Sequence, residues 1–252
     1  MAGLEFPTPE SLFTLDDPIS KRSMRGRFED RKSSEISTGE YQPSAPIRVT
    51  WSMGGAEPTD FIWTTSAIPL IMHERILDIF RGNQFTGWQS FDVEVHDKLG
   101  NPVKGYHGLT VTGRCGPQDY GASRIVLKEY PGGWCPLFAG SYYSRGPWNG
   151  EAIFMPGTAE GGRSVSAFNR IITEPLAKAL LKAKAKNIRI APICDETIDV
   201  STIENVKPDA LPTDYWRRVE DAYLDADKPM PKFVEERGEV AKARIEALRG
   251  KA

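Results

Sequence analysis

The sequence has few cysteines and histidines, no long apolar run and no excess of charge of either sign. Each shortage closes off a class of function. Three cysteines (Cys115, Cys135, Cys194) and three histidines (His73, His96, His107) occur in 252 residues. Three cysteines cannot build a disulfide scaffold. Without a CxxC pair, no thiolate zinc site of ordinary spacing is expected. No apolar run approaches the ~20 residues of a membrane-spanning helix, so no membrane association is expected. The N-terminal MAGLEFPTPE has no basic stretch followed by an apolar run. No signal peptide is therefore expected, and the expected location is a reducing cytoplasm. With 32 basic and 34 acidic residues, the net charge of −2 removes the main argument for general nucleic-acid binding.

Nucleotide and hydrolase motifs are missing as well. Gly161-Gly162-Arg163-Ser164 is Gly-rich but lacks the spacing that cradles a phosphate on a helix N-terminus. No GxSxG elbow and no HExxH helix occurs. Asp195-Glu196 and Asp92/Glu94 are the close carboxylate pairs, and Asp92 and Glu94, on one face of a strand, read as solvated surface. No catalytic residue, metal or cofactor is therefore assigned, and the chain is not expected to be an enzyme. One enzymatic alternative survives, a metal- or cysteine-dependent enzyme: His96 and His107, brought near each other by hairpin pairing, would bind a metal with Asp92, Glu94 or Asp97, or Cys115 would act as a nucleophile activated by the adjacent Arg114.

Glycine and proline are plentiful. The 23 glycines and 19 prolines fill a sixth of the chain, against about 12% in average usage. Fourteen of the glycines and six of the prolines lie within residues 100–162. That stretch includes residues 130–150, which hold six aromatics and read as a structured loop.

Around it the patterning is regular. Ile47–Trp51, Trp88–His96, Tyr106–Thr112, Arg124–Leu127 and Ala152–Met155 read as strands, and Asp97–Asn101 as a hairpin loop. Residues 69–81 read as a helix with Pro69 in its first turn, and residues 174–185 as a second, capped by Thr173. Each helix is followed by a Gly/Asn break and a strand, so one helix-to-strand unit echoes the other. Residues 158–164 read as a turn, and helices are predicted over 213–224 and 231–249. The expected fold is α+β: a mixed, mainly antiparallel sheet with two helix-to-strand units packed on it and C-terminal helices. The expected organisation is an arm over 1–46, basic between Ser20 and Glu35, a core domain over 47–192 and a helical extension over 193–252.

One order of segments resembles a known family. Pro69–Phe80 is followed by Phe85-Thr86-Gly87-Trp88 and Phe91–Val95. Then come Gly105-Tyr106-His107-Gly108-Leu109, Val111–Gly116, Trp148–Thr158 and the unit ending Asn187-Ile188-Arg189. Over residues 47–192 this order resembles a large α+β family of bacterial immunity proteins from polymorphic-toxin systems, formerly listed as a domain of unknown function. The resemblance implies a protein that binds and neutralises a cognate toxin stoichiometrically. It supplies no catalytic residues.

Side chains that dominate protein interfaces are Tyr, Trp and Arg. The partner-contact candidates are Tyr130, Trp134, Tyr142, Tyr143, Arg145 and Trp148 in the Gly-rich stretch, with Tyr106, His107 and Arg114 on the strand before it. A third reading is a homo-oligomeric module assembled through the C-terminal helices.

Overall fold

The computed structural model describes residues 4–18, 20, 23–55, 57–64, 68–157, 169–206 and 210–249. The Gly161–Ser164 run, the turn at 158–164, Lys21 and Arg22 lie outside the described residues. In chain order the elements are β1 (Leu12–Asp16), β2 (Arg25–Phe28), α1 (Ser33–Thr38), β3 (Ile47–Met53), β4 (Phe61–Thr64), β5 (Leu70–His73), α2 (Glu74–Gly82), β6 (Trp88–His96), β7 (Pro102–Val103), β8 (Tyr106–Val111) and β9 (Gly113–Cys115). They continue with β10 (Arg124–Tyr130), β11 (Gly133–Ala139), β12 (Ile153–Pro156), β13 (Ile171–Thr173), α3 (Glu174–Lys182), β14 (Arg189–Pro192), β15 (Thr197–Asp199), α4 (Val200–Val206), α5 (Tyr215–Asp225) and α6 (Lys232–Arg249). The fold is mixed α+β with mostly antiparallel pairing and C-terminal helices. The chain divides into two compact units, Met1–Pro117 with Ser144–Pro192, and Gln118–Tyr143 with Ile193–Ala252.

The first unit contains a closed barrel. Its strands run β3-β2-β4-β5-β8-β6, and pairing of β3 with β6 joins the ends. Alternation along each strand divides the residues between two cores. Val49, Trp51, Ile62, Ile71, Phe91, Val95 and Tyr106 fill the inside, with Met24 and Ile36. Phe61, Trp63, Leu70, Met72, Leu109 and Val111 point outward into the larger core. The inside is tightly packed at its two glycines: a Cβ on Gly108 would lie 2.0 Å from the Phe91 ring, and one on Gly26 2.7 Å from Val49 Cγ1. Helix α1 covers the end of the barrel where β6 begins. Ile36 is fully buried, and its carbonyl accepts a 2.8 Å hydrogen bond from Thr110 Oγ1.

The residues expected to form an arm thus contribute β1, β2 and α1. The apolar positions Leu12, Leu15, Met24 and Ile36 are buried, and they offset the ordering of a segment whose charges stay outside.

Two strand–helix–strand units stack in the larger core, and they match position by position. Helices α2 and α3 are both nine residues long, and the second starts one hundred positions after the first. Ile76, Leu77 and Phe80 of one correspond to Leu176, Ala177 and Leu180 of the other, all within the same core. The turns that follow repeat too: Gln84 and Lys184 have φ of 54° and 50°, and Gly87 and Asn187 have 92° and 64°. The echo between the two units is therefore a structural repeat. One boundary differs from the sequence reading. Residues 70–73 form a strand, and α2 starts at Glu74 with His73 Nδ1 accepting from Arg75 N at 3.2 Å. Leu70, Ile71 and Met72 are all buried, as in a strand covered on both faces. Their apolar run continues the helix periodicity because Met72 and Ile76 enter the same core.

In the second unit, sheet β10-β11-β15 carries α4, α5 and α6 around Phe138, Tyr215, Trp216, Val219, Tyr223 and Val234. Part of the stretch expected as a loop is the hairpin of β10 with β11, turning at Pro131-Gly132. Glu204 is buried in this unit, with Arg237 Nε 3.1 Å from its Oε2 and the Tyr215 hydroxyl beside it. Burial raises the Glu204 carboxyl above its ordinary 4.5, against the opposing pull of Arg237, and Asp199 adds to the rise. The folded state then binds a proton more tightly than the unfolded chain. The resulting stability is present below the unfolded pKa and is lost as pH rises through the raised folded pKa. We expect Glu204→Gln to flatten the dependence of the melting midpoint on pH above about 4.5, while the wild type loses stability across that window. Parallel curves for the two proteins would refute this.

Candidate functional site

At the end of the barrel opposite α1, the Met53–Gly55 loop faces the hairpin between β6 and β7. Asp97 builds the hairpin turn. Its Oδ1 accepts from Leu99 N and Asn101 N at 2.8 Å each, and its Oδ2 accepts from Asn101 Nδ2 at 2.9 Å. These bonds, led by the Asn101 side chain, hold the Asp97 carboxyl below its ordinary pKa. Gly100 supplies the left-handed φ of 87° that the turn needs. The turn carries Leu99 at 87% exposure, and Met53 is 56% exposed. Between hairpin and loop lies a cleft of about 420 Å³ lined by Trp51, Gly54, Gly55, Asp97, Lys98 and Leu99. Lys98 spans it: Nζ donates to Gly54 O at 3.3 Å and stands 5.9 Å from the Trp51 ring centre. A second cleft of about 400 Å³ runs along β6 and β7 past His96.

The sequence-marked residues do not form one surface. Tyr106 is inside the barrel, its hydroxyl donating to Thr59 O and its ring edge-on to His73; burial pushes its pKa to about 12. Trp148 is also buried, against Phe6 and Phe154, with Nε1 donating to Glu151 O. Neither side chain can serve as a contact, because each is consumed by packing. Arg114 is half-buried and spends its guanidinium on the carbonyls of Val111, Gly113 and Thr38. His107 is half-buried on the outside of the barrel, opposite Asp92. Arg145 is exposed in the first unit.

In the second unit Tyr130 is 41% exposed at the end of β10, with Lys128 over its ring. Trp134 packs at the margin of the helical core under Lys228. Tyr142 lies over Gly140, and Tyr143 bridges to Gln118. The candidates from the Gly-rich stretch are therefore divided between the units.

No protein-family model and no curated protein matches this chain.

The residues of the enzymatic alternative are not assembled. His96 pairs with Pro102 and His107 with Asp92, four positions apart along β6, which is about 13 Å of strand. Cys115 is fully buried in β9, and burial raises its thiol to about 12 in spite of Arg114. A thiol that stays protonated near neutral pH is a poor nucleophile. Among the described residues no three His, Cys, Asp or Glu are grouped to hold a metal, and no helix is long and apolar enough to cross a membrane.

Of the residues around the barrel-end cleft, the sequence marks the Asp97–Asn101 turn but no contact surface. One signal was present: a leucine in the middle of an Asp-Lys-Leu-Gly-Asn turn, where a polar residue would serve the turn equally well.

Proposed function

We propose that this chain works by stoichiometric binding of a protein partner, and that the partner is a cognate toxin of a polymorphic-toxin system met in the bacterial cytoplasm. The observation that supports binding is the display of Leu99 and Met53 on either side of the Trp51–Lys98 cleft. Exposed apolar side chains fixed on a rigid turn gain contact area at little entropic cost. Met53 is of a residue type enriched at interfaces, and Trp51 is buried beneath the cleft as its support. The immunity assignment rests on the resemblance of residues 47–192 to immunity proteins. No catalytic role is needed, since occupying a toxin's active surface is enough to silence it.

The test is co-expression with the toxic product of the neighbouring gene, together with direct binding of the two purified proteins. Growth should be restored and a one-to-one complex should form. Leu99→Arg is expected to weaken binding at least about tenfold, the scale of one interface anchor, with an unchanged melting midpoint because the side chain is exposed. Neither rescue nor binding would overturn the reading. Full affinity in Leu99→Arg would remove the barrel end from the interface.

A further inference from the structure

Helix α6 carries two apolar stripes, and its own unit uses one. Val234, Ala241 and Ile245 are buried in the helical core, with Gly238 against the Trp216 ring. On the other side Phe233 is 45% and Val240 70% exposed, and Ala243 and Ala247 are exposed as well. Phe233, Val240 and Ala247 recur at every seventh position, with Ala243 between the last two, which is the spacing that lines residues along one seam of a helix pair. The charges beside this seam differ along its length. Exposed Glu235, Glu236 and Glu239 lie with Lys232 in the N-terminal half, whereas Arg244 and Glu246 are exposed in the C-terminal half, where half-buried Lys242 pairs with Glu220 and Glu239.

We infer that this seam binds a second copy of the chain, with the two α6 helices antiparallel about a twofold axis at Val240. In that register Val240 meets its own counterpart. The bulky Phe233 falls opposite the small Ala247 of the other copy, with Ala243 beside it. Glu236 falls opposite Arg244. A parallel pairing would set Phe233 on Phe233 and Glu236 on Glu236, opposing bulk to bulk and like charge to like. The self-complementarity of size and charge under one axis is what selects a second copy over an unrelated partner. Among the described residues, Glu236 makes an exposed 3.6 Å pair with Lys232, and Arg244 a long 3.4 Å contact to Glu204 O. Both are weak enough to be exchanged for an intermolecular pair. An 18-residue helix is about 27 Å long. A pair of this length buries less than a standard interface, so dissociation in the micromolar range is expected.

Sedimentation of the full chain between roughly 1 and 300 micromolar tests this, spanning the expected range. The wild type should pass from monomer to dimer. Phe233→Glu and Glu236→Arg should each weaken the dimer at least about tenfold. Combining Glu236→Arg with Arg244→Glu should restore it, because the pair is re-formed with its signs reversed. Circular dichroism of each variant separates loss of association from loss of fold. Should Arg244→Glu unfold the chain, Val240→Cys replaces it, with a covalent dimer expected on mild oxidation and beyond what wild-type cysteines give. A wild type that stays monomeric throughout overturns the inference. So does a dimer indifferent to Phe233→Glu and Glu236→Arg.

Discussion

Replacing Gly87 with alanine is expected to cost the fold roughly 3–5 kcal/mol, through overpacking against backbone combined with a strained φ. Gly87 sits at φ 92°, and a Cβ there would lie 2.0 Å from Ile153 O and 2.8 Å from Glu151 Cβ. The carbonyl oxygen cannot swing away as a side chain would, because β12 is pinned at this point. Thr86 O accepts from Ala152 N at 3.0 Å and Ile153 N at 3.3 Å, and Gly87 O accepts from Thr112 N and Gly113 N at 2.9 and 3.0 Å. One turn thus ties the end of β8, the start of β9 and β12, and a methyl group must push them apart.

The repeat provides the control. Asn187 occupies the corresponding turn position at φ 64°, and its Nδ2 donates to Met24 O at 2.9 Å and Phe61 O at 2.8 Å. Asn187→Gly keeps the backbone and loses two hydrogen bonds, so it should cost about 1–3 kcal/mol. Urea denaturation of both variants decides the point. A Gly87→Ala protein within about 1 kcal/mol of wild type would show that the crossing can relax, and that repulsion at Gly87 does not set its stability.

The same pair of positions shows what a single sequence reveals and where it stops. The helix-to-strand echo was legible because both units carry apolar residues at 3–4 spacing and a Gly/Asn break, which depend on local geometry alone. Hairpin Asp97–Asn101 and helices α5 and α6 were legible for the same reason. The start of α2 was not, because Met72 in a strand and Ile76 in a helix enter one core and extend a single periodic pattern across a boundary. Nor was the burial of Tyr106 and Trp148. An aromatic in a Gly-rich segment has the same local signature whether it faces a partner or packs on Phe6 and Phe154. Contacts with segments distant in the chain, such as Phe6 for Trp148 and Thr59 for Tyr106, decide between the two. Barrel closure belongs to this class as well, since β3 pairs with β6 in parallel and leaves no hairpin turn to announce it. For the candidate site, the turn chemistry of Asp97 and Gly100 could be read directly. The 87% exposure of Leu99 could not, because it depends on no other element arriving to cover it.

The largest loss expected from a single side chain is at Trp63. It is fully buried in β4, and its Nε1 donates to Asn187 O at 2.7 Å. The indole therefore joins a barrel strand to the turn after α3, and the Asn187 side chain returns to β4 through Phe61 O. The fully buried Arg170 guanidinium lies 5.6 Å from the indole ring centre, and burial lowers its pKa to about 10. Trp63→Ala removes the ring, opens a cavity beside a buried cation and leaves the Asn187 carbonyl without its donor. The cost is expected at roughly 4–6 kcal/mol, a large part of the 5–15 kcal/mol that holds a typical domain together. Trp63→Phe keeps most of the packing and an aromatic face for Arg170 but loses the indole donor, so it should cost about 1–3 kcal/mol. Packing and hydrogen bonding are then separated by comparing the two variants in chemical denaturation. If alanine and phenylalanine cost the same, the indole donor to Asn187 outweighs the volume of the ring. A much larger cost for alanine would identify the indole as a packing element whose donor serves chiefly to satisfy a buried carbonyl.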